Sequence, residues 1–157
     1  MEKVDTSHIT YVTKAFEELS TQDYHDILHL RTAIFVVEQD CPYQEVDDKD
    51  PLSYHLFGKN KKGEVIAVTR IVPQGISYKE ISIGRVAIKK EYRGKGLAHE
   101  LIKETLNFIE NKWGKQSIRI SAQEHLKNYY TKHGFQQVGK MYLEDNIPHV
   151  EMLKEIN

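Results

Sequence analysis

Residues 81–104, ISIGRVAIKKEYRGKGLAHELIKE, pass from a β-branched run through a basic glycine-containing turn straight into an amphipathic segment. That order requires a strand, a tight turn and a helix start in direct succession. At such a junction the N–H groups of the turn and of the first helical turn have no intrahelical acceptors, and the helix dipole favours negative charge beside them. Within residues 85–95 the bases Arg85, Lys89, Lys90, Arg93 and Lys95 face one acid, Glu91. The whole chain is almost neutral, with 22 Lys plus Arg against 23 Asp plus Glu, so the positive charge is local. A diphosphate fits a cradle of this kind.

A length of 157 residues suits one domain over residues 1–157, with enough chain to bury a real core. The balanced charge offers no basic face, so nucleic acid is not an expected partner. Cys41 is the one cysteine, which excludes an internal disulfide and any zinc site of paired thiolates. The histidines show no HExxH-type spacing, and no metal is expected. Residues 1–12 lack an apolar signal core, and the apolar run at 33–37 is far too short to span a bilayer, so the expectation is a cytoplasmic chain with no membrane partner.

The hydrophobic pattern predicts a first strand over residues 8–16 and a helix from Ser20 or Thr21 to about Glu38. Residues 55–59 and 64–72 read as an antiparallel hairpin joined at 60–63. A strand at 82–88, a helix at 97–111 and a strand at 117–122 form a βαβ unit, whose two strands must run parallel. A short helix at 124–133 closed by Gly134 precedes late strands at 135–142 and 149–154. The fold class is therefore mixed α/β (α+β), with helices flanking a central sheet.

Two other strand-turn-helix motifs fail on spacing. A P-loop needs GxxxxGK followed by Ser or Thr, and the chain has none. A dinucleotide fingerprint needs a third glycine where His99 stands. What fits is R-x-x-G-x-A at Arg93, Gly96 and Ala98, with GRVAI before it and NYYTKHGF after it. These segments resemble, in order and separation, the acyl-CoA-binding motifs of the GNAT acetyltransferase superfamily. Residues 31–48, 133–135 and 145–152 resemble its ElaA-like branch.

The resemblance implies a GNAT-like sheet with a βαβ acyl-CoA-binding core, splayed parallel strands, and acetyl transfer from acetyl-CoA to a primary amine. It implies that the pantetheine arm lies along Val86, Ala87 and Ile88 and that the diphosphate sits over Arg93, Gly94, Lys95, Gly96, Leu97 and Ala98. Gln123 and Asn128 are further implied cofactor contacts. The parallel strands should separate at a bulge. In Y-x-x-x-G-F, Tyr130 occupies the position of the tyrosine that protonates the departing thiolate. A phenol with a pKa of about 10 can donate to a thiolate whose conjugate acid has one of roughly 8.5. Tyr129, a residue away on the helix, should pack elsewhere.

For the base that frees the amine, Glu38 is the lead candidate, with Glu45, Asp47 and Asp48 close by, and the resemblance adds Cys41, Tyr43 and His149 as options. Arg31, Tyr43, His55 and His149 are implied on the acceptor side. Residues 40–50 carry five acids and one lysine, and such a run is usually solvated surface. Cys41 reads as a small buried apolar residue, having no neighbour that would activate a thiol. The acceptor is a small-molecule or peptide amine, and exposed sheet edges leave room for a homodimer. A non-catalytic acyl-CoA-sensing module is the alternative.

Overall fold

The computed structural model describes residues 4–156, leaving residues 1–3 and 157 outside. Strand β1 (Thr10–Ala15) leads into α1 (Thr21–Thr32), which starts where Ser20 Oγ accepts the Asp23 N–H at 3.0 Å. The helix does not stay α-helical to residue 38. Its last stretch, Ala33–Glu38, is a wider π turn, with Gln39 and Cys41 donating to the Ile34 and Val36 carbonyls five residues back. The run Ile34, Phe35, Val36, Val37 crowds an α turn with β-branched and aromatic side chains, and the wider turn accommodates it.

Strands β2 (Tyr54–Lys59), β3 (Val65–Val72) and β4 (Ser82–Ile88) complete an antiparallel sheet in the order β1-β2-β3-β4. Every residue of β3 is buried, because α1 covers one face of the sheet and α2 (Leu97–Trp113) the other. This explains the uninterrupted apolar reading of β3. Leu101, Ile102 and Ile109 of α2 are at most 2% exposed, and each such side chain contributes about 1.5–3 kcal/mol by leaving water. On the other face Ile27, Leu30 and Ile34 pack with Phe57, Val65, Val68 and Ala87.

A second sheet, in the order β5-β7-β6, is built from β5 (Ile118–Gln123), β6 (Gln136–Glu144) and β7 (Ile147–Lys154). The β6–β7 hairpin turns on Asp145 and Asn146, both at positive φ, which the short polar side chains of these residues tolerate. The short helix α3 (Lys127–Thr131) follows a single tight turn, Glu124–Leu126, after β5. The expected parallel pairing of β4 with β5 is reduced to one bridge, Ile81 with Ile118, where Arg119 N–H donates to the Ile81 carbonyl at 2.9 Å. Beyond it the strands diverge.

The expectation of a solvated acidic run at residues 40–50 holds for Asp40 and Asp48 but is overturned for Glu45 and Asp50. Asp50 is 0% and Glu45 5% exposed, and between them they hold three arginines from three elements. Arg31 of α1 donates to Glu45 at 2.9 Å and to Asp50 at 3.1 Å, Arg70 of β3 to Asp50 at 2.9 Å, and Arg85 of β4 to Glu45 at 2.9 Å. The Tyr24 hydroxyl adds a bond to Asp50 at 2.6 Å, and the Tyr43 hydroxyl one to Glu45 at 2.6 Å. Two acceptor-side expectations fall with this cluster. Arg31 and His55 are each 1% exposed. Arg31 is consumed by the carboxylates, and the His55 Nε2–H donates to the Asp50 carbonyl at 2.9 Å. Burial pushes the His55 pKa down, so the ring is a neutral structural donor.

Burial alone would raise the Asp50 pKa, but the Tyr24 hydroxyl and the Arg31 and Arg70 guanidinium groups outweigh it and hold the carboxyl below its ordinary range. The stabilisation this supplies is complete above the unfolded-state value of about 3.9 and is lost as pH falls through the lower native value. Asp50→Asn should therefore lower the unfolding free energy by about 3–5 kcal/mol at neutral pH in urea titration. The variant should also lose less stability than the parent on acidification, and equal losses would contradict this role.

Candidate functional site

The divergence of β4 from β5 opens a cleft of about 590 Å³. The divergence coincides with a bulge in β4, where three steps from Gly84 to Ala87 oppose two from Arg70 to Val68 in β3. At the bulge Arg85 takes a φ of 50°, which costs a residue with a Cβ roughly 1–2 kcal/mol. Its guanidinium offsets that strain through Glu45 at 2.9 Å and Asp47 at 3.3 Å. The bulge anticipated between the parallel strands is thus located in β4. Beyond the Ile81–Ile118 bridge, the β4 edge that faces away from β3 meets no other paired strand among the described residues. Val86, Ala87 and Ile88 line the cleft along that edge.

At one end of the cleft the chain turns into α2. Gly94 and Gly96 have φ of 74° and 82°, and a Cβ built on either meets nothing within 4 Å. The left-handed backbone explains why glycine stands at both positions, and the open space in front of them is the cradle. Gly96 is the residue immediately before α2, so the N–H groups of the first turn open toward this space. Gly94, Lys95 and Gly96 are exposed, and Ala98 lines the cleft. Leu97 differs: it is 3% exposed and packed in the core, so only its main chain faces the turn. Arg93 reaches back, with Nε donating to the Ile88 carbonyl at 2.9 Å and its terminal nitrogens pairing with the Glu38 carboxylate at 3.0 Å.

Glu38 lines the cleft as well, and its carboxylate is the group that pairs with Arg93. Tyr130 also lines the cleft. It is 5% exposed, burial pushes its phenol up, and its hydroxyl makes no hydrogen bond among the described residues. Tyr129 lines the cleft as well, contrary to the expectation that one of the two would pack elsewhere, but its hydroxyl is engaged as a donor to the Ala98 carbonyl. Gln123 borders the cleft at the end of β5, whereas Asn128 is exposed and does not.

Tyr43, Tyr78, Ser121, Glu144 and His149 also line the cleft. Arg85 stands over the Tyr43 ring, 5.6 Å from its centroid. His149 is 7% exposed, its ring stacked on Tyr142, whose hydroxyl bonds to Ser121. Cys41 is buried as expected, with its thiol 3.7 Å from the Asp145 carbonyl. Among the described residues no group of three or more His, Cys, Asp or Glu is placed to hold a metal. Nor is any helix long and apolar enough to cross a membrane.

Sequence reasoning passed over the strained Arg85, the Glu144 carboxylate and the Tyr142–His149 stack. Asp145-Asn146 between two β-rich runs was the available signal. A two-residue turn there sets Glu144 opposite Ile147 and Tyr142 opposite His149.

A strand pair opened over a glycine turn at a helix start is the architecture of acyl-CoA-dependent N-acyltransferases. Residues 17–156 match the family described as "Acetyltransferase (GNAT) domain". The chain belongs to that family and is an acyltransferase. It is 37% identical to the protein ElaA of Escherichia coli K12 over 141 residues, covering 88% of this chain and 92% of that one. Among solved structures, an acyl-CoA N-acyltransferase from Pseudomonas aeruginosa superposes with a TM-score of 0.88 at 37% identity, over 93% of this chain and 99% of that one. The crystal structure of E. coli ElaA gives 0.87 at 34% identity, over 94% and 99%.

Gly96→Ala should lower the unfolding free energy by roughly 1–2 kcal/mol in thermal or urea melts, the cost of a left-handed residue with a Cβ. An unchanged midpoint would mean that the turn relaxes at no cost.

Proposed function

We propose that this acyltransferase moves the acetyl group of acetyl-CoA to a primary amine of a small molecule or peptide, by direct attack while both are bound. The observation that carries the proposal is the gap between β4 and β5, leading at one end to the open turn at Gly94 and Gly96. The β4 edge at Val86, Ala87 and Ile88 lies open along the gap for an extended chain to meet as an added strand would, with the Ile88 carbonyl already accepting from Arg93. Main-chain N–H groups of residues 94–98, at the helix start, suit a diphosphate, and Lys95 and Arg93 add charge. Gln123 borders the same path.

Chemistry at the gap needs a donor for the carbonyl oxygen as it gains negative charge, and a proton for the departing sulfur. A main-chain N–H of the β4 edge serves the first. Tyr130 serves the second. Burial makes it a weaker acid than a solvated phenol, so it keeps its proton through the neutral range and directs a hydrogen bond at sulfur as the C–S bond breaks. Its hydroxyl makes no hydrogen bond among the described residues and is not one of the enclosed unpaired polar atoms, so it opens on the cleft where a departing sulfur can meet it, which favours this role over the non-catalytic sensing alternative. The same reading treats residues 1–157 as one cytoplasmic domain.

Calorimetry should show acetyl-CoA binding that is weakened in Gly96→Val, where a branched side chain fills the cradle. No binding by the folded protein would refute the proposal. With acetyl-CoA and a panel of primary amines, free thiol should appear, and Tyr130→Phe should slow its release by roughly 10²-fold or more with acetyl-CoA affinity unchanged. Full turnover in that variant would remove Tyr130 from the chemistry while leaving the transfer reaction standing.

A further inference from the structure

We propose that His149, assisted by Glu144, is the base that removes the proton from the acceptor amine. This rests on the acetyl-transfer reading above. His149 Nδ1 lies 2.7 Å from the Ile147 carbonyl. A carbonyl only accepts, so Nδ1 must carry the proton, and in the neutral ring the lone pair is left on Nε2. That nitrogen stands 3.3 Å from a carboxylate oxygen of Glu144. When Nε2 takes a proton, the resulting imidazolium keeps its Nδ1–H bond to Ile147 and lies within ion-pair distance of the Glu144 carboxylate.

The ring is held for this task. It is stacked on Tyr142 with a centroid separation of 6.1 Å and an interplanar angle of 25°, and Tyr142 is tied to Ser121 of β5. In the β5–β7 ladder His149 is paired with Gln123, the last residue of the strand that borders the gap. His149, Gln123 and Tyr130 line one cleft, the space in which the thioester is to be attacked. The other ionisable groups near the ring are accounted for. Burial holds the Tyr142 and Tyr78 phenols above their ordinary range, so both are neutral. Farther along β7, Glu151 is paired with Arg119 at 2.6 Å. Across the cleft Glu38 is paired with Arg93, and Arg85 with Glu45. Asp145 and Cys41 border the same cleft, joined through the Asp145 carbonyl. Glu144 is the carboxylate that meets Nε2, and at 54% side-chain exposure it also opens a route for the proton to water.

The ammonium gives one proton to Nε2, and the freed nitrogen lone pair forms the C–N bond as the C–S bond breaks. The nitrogen's second proton passes to solvent, Tyr130 gives its proton to sulfur, and the phenolate takes one back from solvent, so these two exchanges with water cancel. Each turnover releases one proton, which leaves Nε2 past Glu144.

The test uses the full chain, acetyl-CoA, and spermidine, tyramine and a lysine-containing peptide as acceptors, with free thiol read across the neutral pH range. His149→Asn should lower kcat by roughly 10²–10³-fold, remove the acidic limb of the kcat/KM profile, and leave acetyl-CoA affinity unchanged. Glu144→Gln, at an exposed position that cannot unfold the core, should lower kcat by roughly tenfold and shift that limb to lower pH. Nitrogen-detected NMR of the wild-type protein should find His149 as the Nδ1–H tautomer, a readout that needs no turnover. A wild-type pH profile in both variants, or an Nε2–H tautomer, would overturn the assignment and leave acetyl transfer intact. A wild-type protein that binds acetyl-CoA but acetylates none of the amines would refute the transfer reading and this inference with it.

Discussion

Two buried carboxylates hold the architecture of the site. Glu45 and Asp50 come from an irregular segment, yet they draw in Arg31 from a helix and Arg70 and Arg85 from neighbouring strands. An ion removed from water costs several kcal/mol unless its partners are well placed, so the segment is compelled to one position. Because Arg85 is the residue with reversed φ in the β4 bulge, the same cluster that anchors residues 39–53 also keeps the strand bent. The cleft thus owes its shape to charges that never face a substrate.

The gap between β4 and β5 turns this local distortion into a binding surface. Strands that stayed paired would satisfy one another's main-chain groups and leave nothing to offer. One bridge at Ile81 and Ile118 keeps the two sheets in contact, and beyond it the β4 edge is available. The helix start at Leu97 then lies beside that edge, because the turn of residues 89–96 is short and its two glycines take conformations that side chains with a Cβ resist. The cleft wall combines the β4 edge and the glycine turn with phenols, an imidazole and carboxylates from other elements.

Much of the fold was legible because its signals are local. The β4-turn-α2 unit has strand periodicity, turn glycines and a helical apolar face written in consecutive residues, and its strand at Ser82–Ile88 is where the pattern placed it. The end of α1 was less so, since Ile34 to Val37 suits neither an α turn nor a strand and is settled as a π turn by its packing. Glu45 and Asp50 of the acidic run were misread for a related reason. Charge density along a chain says nothing about partners supplied 14 to 40 residues away, and those partners are what bury Glu45 and Asp50. Arg31 and His55, read as acceptor contacts, were drawn into the same interior cluster.

The sequence by itself determined the order of elements, the glycine turn at residues 94–96 and the tyrosine four places before Gly134, since each depends on neighbours within a turn or two of chain. Which way β4 bends, which carboxylate is already bound to a guanidinium, and which histidine nitrogen keeps a lone pair were decided only when distant segments met. Those properties belong to pairs of groups brought together by packing, and a linear pattern carries no distance between them.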